Sequence, residues 1–584
     1  MTRENRNTPF WKKSLPLVLL TSFVFWQCEK KPELKSNLWL PDGFESTVFV
    51  DQIPETTRHI TVTPEGTVYT KFKKTSEEGS LAALQDLDGD GRADKVVKFA
   101  NDTTIKGYGY ATAARVYKGY LYFSSELAVY RYKLDPNQLV PKGPLETVVI
   151  DDHPHGMHEH IGKPIAFDHK GNLYVPFGAP SNTCQNPKRT PLQPGMDPCP
   201  QLEDHGGIWV FDAKKLNQTQ QDGKKYATGI RSIVALDWNP QDETLYAVVH
   251  GRDDLFRLWP DRYNAWQSAL LPSEEFLRIE EGDDFGWPYC YYDQMQEKRV
   301  LSPEYGGDGN TVGRCEDFKP PIMGFPGHWA PNDLVFYQGD ALPEYYKNGA
   351  FIAFHGSTNR APYPQSGYFV GFIPFENGKP KGSFDVFADG FAEVDPIVNV
   401  RDAVYRPMGI AFAPDGTMYI GDTEKGRIWS VRFTGDKQSF GKESLAKMEA
   451  RKELSHIRTP DFEKDNLSEK NISEGQKLYN TYCMACHQSN GKGASGRFPP
   501  LDQTDWVVGD PERLVHLILN GMEGPIKVNG EDYNGIMPQH AFLKDDEIAK
   551  ITTYIRTHFG NEVQAISPQD VQKYRASNSK KTTK

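Results

Sequence analysis

Asp415-Gly416-Thr417-Met418-Tyr419-Ile420 reads as a tight turn entering a short run of β-forming side chains. The same beat stands at Pro64-Glu65-Gly66-Thr67-Val68-Tyr69, at Lys118-Gly119-Tyr120-Leu121-Tyr122-Phe123 and at Lys170-Gly171-Asn172-Leu173-Tyr174-Val175. It returns at Asn348-Gly349-Ala350-Phe351-Ile352 and, with Asp-Glu in place of Gly, at Gln241-Asp242-Glu243-Thr244-Leu245-Tyr246. Six copies at uneven spacing predict six antiparallel sheets with long insertions in some connections. Radial repetition hides strand edges, so the expected fold is mainly β: a six-bladed β-propeller over residues 38–434. A pair of β-sandwiches with similar turns is the competing architecture, and the sixfold repetition weighs against it.

Around this stretch the chain has 584 residues, too many for one hydrophobic core. Its 25% charged and 12% aromatic residues suit an ordered protein. With 67 Lys and Arg against 78 Asp and Glu the net charge is −11, and without a basic block nucleic acid is excluded as a partner. After Phe433 the pattern changes. Residues 435–470 carry as many basic as acidic side chains and few large apolar ones, which predicts a solvated charged linker, partly helical around Lys442 to Leu454. Residues 471–561 read as a small all-α domain, and 562–584 as a polar, disordered tail.

Within the helical domain stands Cys483-Met484-Ala485-Cys486-His487. Two cysteines one helical turn apart present both sulfurs to one porphyrin edge, and the adjacent His reaches the iron. Met537, in Gly535-Ile536-Met537-Pro538, is the expected second axial ligand, with Met522 the competitor. A thioether opposite an imidazole raises the potential and closes the iron, which suits electron transfer. With Phe498-Pro499-Pro500-Leu501 and a closing helix, this segment resembles the class I c-type cytochromes, so covalent haem c is expected.

Asp86-Leu87-Asp88-Gly89-Asp90-Gly91-Arg92-Ala93-Asp94 spaces the carboxylates of Asp86, Asp88, Asp90 and Asp94 as a Ca²⁺ loop does, without the usual final Glu. The expected ion is structural; an acidic surface turn is the plainer alternative. At the N-terminus, Lys12-Lys13 precede an apolar run from Leu15 to Trp26. The run falls short of the ~20 residues that span a bilayer and reads as a secretory signal. Cys28 at its end resembles the lipid-attachment cysteine of bacterial lipoproteins, although Phe25-Trp26-Gln27 are bulky for that motif. Residues 1–28 are therefore expected to be a signal and anchor, with the body in an oxidising space outside the inner membrane, periplasmic or lipid-anchored. In that compartment the remaining cysteines, close in sequence, are expected to pair as Cys184 with Cys199 and Cys290 with Cys315; the other two pairings stay open.

Six stretches of the propeller segment resemble the soluble quinoprotein glucose/sorbosone and pyranose dehydrogenases. They are His158-Glu159-His160-Ile161-Gly162-Lys163-Pro164-Ile165-Ala166-Phe167, Gly229-Ile230-Arg231-Ser232 and His250-Gly251-Arg252-Asp253-Asp254. Phe285-Gly286-Trp287-Pro288, His355-Gly356-Ser357-Thr358-Asn359-Arg360 and Arg406-Pro407-Met408-Gly409 complete the set. The resemblance implies pyrroloquinoline quinone (PQQ), a planar tricarboxylate, held by Arg58, Arg231, His355, Asn359, Arg360 and Arg406. It implies a Ca²⁺ on main-chain oxygens of Gly251 and Arg252, polarising the quinone carbonyl. It makes His160 the general base and Arg231 its electrostatic partner.

The family often has Asn where this chain has Ser232, and its glucose-specific members carry Asp where this chain has Ala179. The expected substrate is therefore an aldose-like sugar, sorbosone or a related aldehyde, with an external acceptor draining the haem. The cluster of His153, His155, His158 and His160 also admits a metal site or a plain polar loop. A non-catalytic carbohydrate-binding propeller and a metal-dependent lactonase are the rival functions; the fused cytochrome speaks against a hydrolase, which has no electrons to dispose of.

Overall fold

The computed structural model describes residues 36–102, 105, 113–153, 158–376, 378–466 and 474–579. The N-terminal apolar run with Cys28, His155, and the last residues of the charged stretch lie outside the described residues. Each of the six beats is the same piece of structure: the turn between the first and second strands of a four-stranded antiparallel sheet. The six sheets are blades around an axis, and their innermost strands are Thr57–Val62, Ala114–Tyr117, Ala166–Phe167, Ile233–Asn239, Pro331–Phe336 and Pro407–Phe412. Blades 1 to 6 are numbered in that order.

The ring closes through the chain's own start. Phe44–Val50 pairs antiparallel with Ile428–Phe433 and becomes the outer strand of blade 6, so no blade is left with two open edges at the seam. Phe44 drives this docking, its ring edge-on to Tyr346 at 5.4 Å and to Phe387 at 5.0 Å. Apolar faces of successive blades form the core, and polar clasps join the inner strands. The Val116 N–H donates to Thr61 Oγ1 at 3.0 Å, Phe336 N–H to Asp237 at 3.0 Å and Ile410 N–H to Asp333 at 2.9 Å. Across the axis, Arg115 of blade 2 donates to Asp333 of the opposite blade 5 at 2.8 Å. Asp333 is fully buried, and its other bonds come from the backbone N–H groups of Leu334 and Ile410, which satisfies a charge that would otherwise be costly to bury. Two long insertions are pinned by disulfides, Cys184–Cys199 and Cys290–Cys315.

Two expectations are corrected. The stretch from residue 435 to 466 is not a solvated linker but a strap laid on the propeller. Its helix Lys442–Arg451 buries Met448 completely against Tyr346, and Ile457 beyond it is 3% exposed in the core between blades 4 and 5. Met448 and Ile457 point into the propeller, while the charged side chains that dominate the impression of the composition face solvent or form ion pairs. Ser444 donates to Asp42 at 3.0 Å, and Arg451 and His456 both bond Asp389. Nor is the tail a disordered one as far as Ser579: Pro568–Ser579 is a helix whose Val571, with Ile566 before it, is buried in the cytochrome core. Its start is written in the sequence, since Ser567 and Asp570 cap it reciprocally around Pro568. The helical domain also contains a hairpin, Met522–Val528 with Glu531–Met537.

His456 is the polar anchor of the strap. Burial opposes its charge, but the hydrogen bond to Asp389 at 2.9 Å and the ion pair with Asp395 at 3.5 Å prevail and push it up to about 9. A folded value above the unfolded one stabilises below about pH 6.5, and the gain disappears as pH rises through about 9. His456→Gln is therefore expected to lower stability near neutral pH by up to about 3 kcal/mol. Denaturation curves of wild type and variant should converge above about pH 9; a constant difference across that range would refute the assignment.

Candidate active site and haem cavity

In an up-and-down blade the turns between strands one and two lie at one end of the propeller, and the links from strand two to three and from blade to blade lie at the other. His160 and Arg231 sit on or beside blade-to-blade links, as does Arg406, while His250–Asp254 and His355–Arg360 follow second strands. Arg58 opens the first strand of blade 1. Topology thus delivers every residue expected to bind PQQ or do chemistry to the same end.

His160 Nδ1 bonds the Ala179 carbonyl at 2.7 Å. The position where the glucose-specific enzymes carry a carboxylate therefore holds the ring through its main chain. Gly178 makes the approach possible, since a Cβ there would lie 2.3 Å from the His160 carbonyl oxygen. With Nδ1 as donor, Nε2 keeps its lone pair and has no other partner among the described residues. Burial and then the Arg231 charge hold the ring well below the ordinary histidine value, so it is neutral at pH 7.

Arg231, 4% exposed, is gripped on two sides. Nη1 donates to the Gly251 carbonyl at 2.6 Å and to that of His250 at 3.3 Å; Nη2 donates to Asn182 Oδ1 at 2.8 Å and to Asp253 at 3.0 Å. Asp253 also accepts from Asn359 at 2.6 Å and from Arg189 at 3.1 Å. Its burial favours the neutral acid, but the Arg231 and Arg189 charges prevail and keep it well below the usual carboxylate range. The His250–Gly251 turn is fixed from below by Glu274, which accepts the Gly251 N–H at 2.9 Å. The Gly251 carbonyl, assigned by resemblance to Ca²⁺ together with that of Arg252, thus already faces a cation, the guanidinium, and does not fit a second one beside it. The Arg252 side chain turns away into an ion pair with Glu304.

A second group lies beside the first. His355 Nε2 bonds Thr423 at 2.7 Å, and Arg406 donates to the carbonyls of His355 (3.2 Å) and Gly356. Burial, then the charges of Arg406, Arg58 and Lys73, depress His355 well below its ordinary value. Three cations dominate the electrostatics of His355, with Glu424 3.4 Å from Arg406 as a partial counter-charge, and that balance fits an anionic cofactor such as PQQ. Arg360 fits less simply: it is 1% exposed with no partner for any guanidinium nitrogen, an orphaned cation that calls for an anion. Yet the charges it feels are Arg458 and Asp465 of the strap, not Asp253. Asn359 and Arg360 therefore face different neighbours. Burial lowers Arg360 to about 9.

The residues not foreseen are Asn182, Arg189 and Asp253. Asp253 stands inside the His250–Asp254 motif. Asn182 comes shortly after Ala179, the departure from the family pattern, and Trp287 Nε1 donates to its carbonyl at 3.0 Å. Of the histidine cluster, His153 and His158 pack against His205 at 4.9 Å, not against His160. Only Asp86, Asp88 and Asp94 gather closely enough to hold a metal among the described residues; Asp90 instead accepts the Arg92 N–H at 2.8 Å.

The cytochrome domain carries a cavity, open to solvent and about 1160 Å³ with its mouth included, lined by Cys483, Cys486, His487 and Met537. His487 Nδ1 bonds the Pro499 carbonyl at 2.9 Å, leaving Nε2 for the iron. Met522 lines the same cavity and is the cross-strand neighbour of Met537. The domain meets the propeller at its site-bearing end, where Ser489 donates at 2.9 Å to Oδ1 of Asn399, in the link from blade 5 to blade 6.

Residues 40–434 match the family model described as TrAA12-like, and residues 472–559 match cytochrome c. The PQQ domain of a pyranose dehydrogenase from Coprinopsis cinerea superposes with a TM-score of 0.55 at 16% identity, covering 69% of this chain and 98% of that one. A calcium structure of a carbohydrate-active enzyme of family AA12 from Trichoderma reesei gives 0.56 at 18% identity, over 69% and 99% of the two chains. Cytochrome c-552 of Thermus thermophilus is 39% identical over 113 residues, 18% of this chain and 86% of its own length. The chain belongs to the TrAA12-like family of PQQ sugar-dehydrogenase propellers, fused to a c-type cytochrome, and is an oxidoreductase with its own electron-transfer domain.

Proposed function

We propose that this is an exported quinohaemoprotein dehydrogenase that oxidises an aldose-like sugar, sorbosone or a related aldehyde and passes the electrons through haem c to an external acceptor. The observation that carries this reading is the neutral His160, Nε2 unengaged, beside a buried Arg231, at the propeller end that meets the haem domain. Two disulfides and a Cys-x-x-Cys-His segment support export, with Cys28 as the proposed lipid anchor.

His160 Nε2 takes the proton of the substrate hydroxyl on the carbon being oxidised; an aldehyde presents the same hydroxyl as its hydrate. The Ala179 carbonyl holds the ring's other N–H and keeps it aimed. Asp253 tempers the imidazolium charge that Arg231 opposes, while Arg231 offers its charge to an anion developing opposite the base. Bound PQQ would supply the two-electron oxidant, and Arg58, His355 and Arg406 are the residues that would hold it. Cys483, Cys486, His487 and Met537 would hold haem c, which would supply one-electron transfer. We also assign Ca²⁺ to Asp86, Asp88 and Asp94, a loop that Arg432 of blade 6 clasps through the Gly89 carbonyl at 2.9 Å, so the ion would brace the ring seam.

With PQQ and Ca²⁺ added, mixing with a panel of sugars and sugar aldehydes should reduce the haem; no reduction by any of them refutes the proposal. His160→Ala should lower that rate at least a hundredfold, in line with the usual ~10²–10⁴ worth of a general base, with the dithionite-reduced spectrum unchanged. Because the base is held below its ordinary value, the acid limb of kcat/KM should lie below pH 6.5; a limb at or above it assigns the base elsewhere. Met537→Ala should keep the haem attached but abolish the thioether ligation seen in the oxidised spectrum; an unaltered spectrum transfers that role to Met522. Ca²⁺ should raise the melting temperature of wild type and not of Asp88→Asn; equal shifts would remove the ion from this loop.

A further inference from the structure

Arg257 belongs to the propeller, yet it lines the haem cavity together with Cys486 and His487. It sits on the short helix Leu255–Leu258, which begins directly after Asp254. It is 6% exposed, and one edge of its guanidinium is fixed: Nε donates to Asp254 Oδ1 at 3.0 Å and Nη2 to Oδ2. Nη1 has no hydrogen-bond partner among the described residues. Asp254 is shared with Arg189, whose Nη1 donates to Oδ2 at 2.5 Å. Arg189 reaches Asp253 at 3.1 Å, and Asp253 holds Arg231 at 3.0 Å. Five alternating charges, Arg257, Asp254, Arg189, Asp253 and Arg231, thus run unbroken from the cavity wall to the neighbour of His160.

A buried cation held in place beside a redox centre favours the reduced form, which carries one positive charge fewer. We propose that Arg257 is a haem-tuning residue supplied by the propeller. It places its charge beside Cys486 and His487, where the haem would attach, ties that edge to the Arg231–Asp253 group, and raises the haem potential. The cytochrome's own Arg497 also lines the cavity and is the competing cation. This inference deepens the electron-transfer half of the proposed function and rests on the haem alone, so its test needs no PQQ and no sugar.

The experiment is spectroelectrochemical titration of the full-length haem protein, without PQQ, in wild type, Arg257→Gln, Arg257→Lys and Arg497→Gln. A positive charge beside the haem favours the reduced form, so Arg257→Gln should lower the midpoint potential. A tenfold change in the one-electron equilibrium, about 59 mV, is expected, with haem attachment intact. Arg257→Lys, which keeps the charge but loses the planar fork, should fall less but measurably. Should the Gln variant fail to fold, the Lys variant decides alone. A wild-type potential in Arg257→Gln, or in Arg257→Lys where that is the only folded variant, overturns the proposal. So does a shift confined to Arg497→Gln.

Discussion

The site depends on one buried carboxylate. Asp253 takes Arg231 from the link between blades 3 and 4, Arg189 from the blade 3 insertion and Asn359 from blade 5. Its own N–H is held by Asn182 at 2.9 Å. Three separate pieces of chain, with Asn182 and Arg189 both in the blade 3 insertion, are fixed in position by this one residue. Removing it would leave two guanidiniums buried side by side, and breaking a buried pair typically costs about 3–5 kcal/mol. The same residue bears on the state of the base: burial depresses His160 first, and the Arg231 charge that Asp253 helps hold beside it depresses it further.

The propeller was legible because its signals are local. A turn followed by β-forming residues is written within six positions, and each copy marks the same corner of a blade. The haem segment is equally local, two thiols and an imidazole within five residues. Reading by composition failed where a minority of side chains decides the outcome. In the strap, Met448 and Ile457 bury enough surface to fix a segment that is otherwise charged, and in the tail Ile566 and Val571 do the same. Asn182 and Arg189 were missed because the partners that give them their roles, Arg231 and Asp253, are remote in sequence and come from other parts of the ring. Arg360 shows the limit of motif transfer: its neighbour Asn359 turns to Asp253, whereas its own guanidinium faces the strap.

The strap changes how the two domains relate. A flexible tether would leave the cytochrome to find the propeller by diffusion, at an effective concentration set by tether length. In this chain residues 435–466 of the tether lie on the propeller surface, anchored by Met448, His456 and the Trp266 indole N–H, which donates to the Pro460 carbonyl at 2.8 Å. Delivery of the haem domain to one end of the propeller is therefore part of the fold.

The Arg115–Asp333 pair has a consequence for traffic. By bridging blades 2 and 5 it lays a buried ion pair across the propeller axis. On the proposed function, substrate enters and product leaves at the end where the cytochrome is seated, so the placement of the cytochrome bears on the size of molecule that reaches His160.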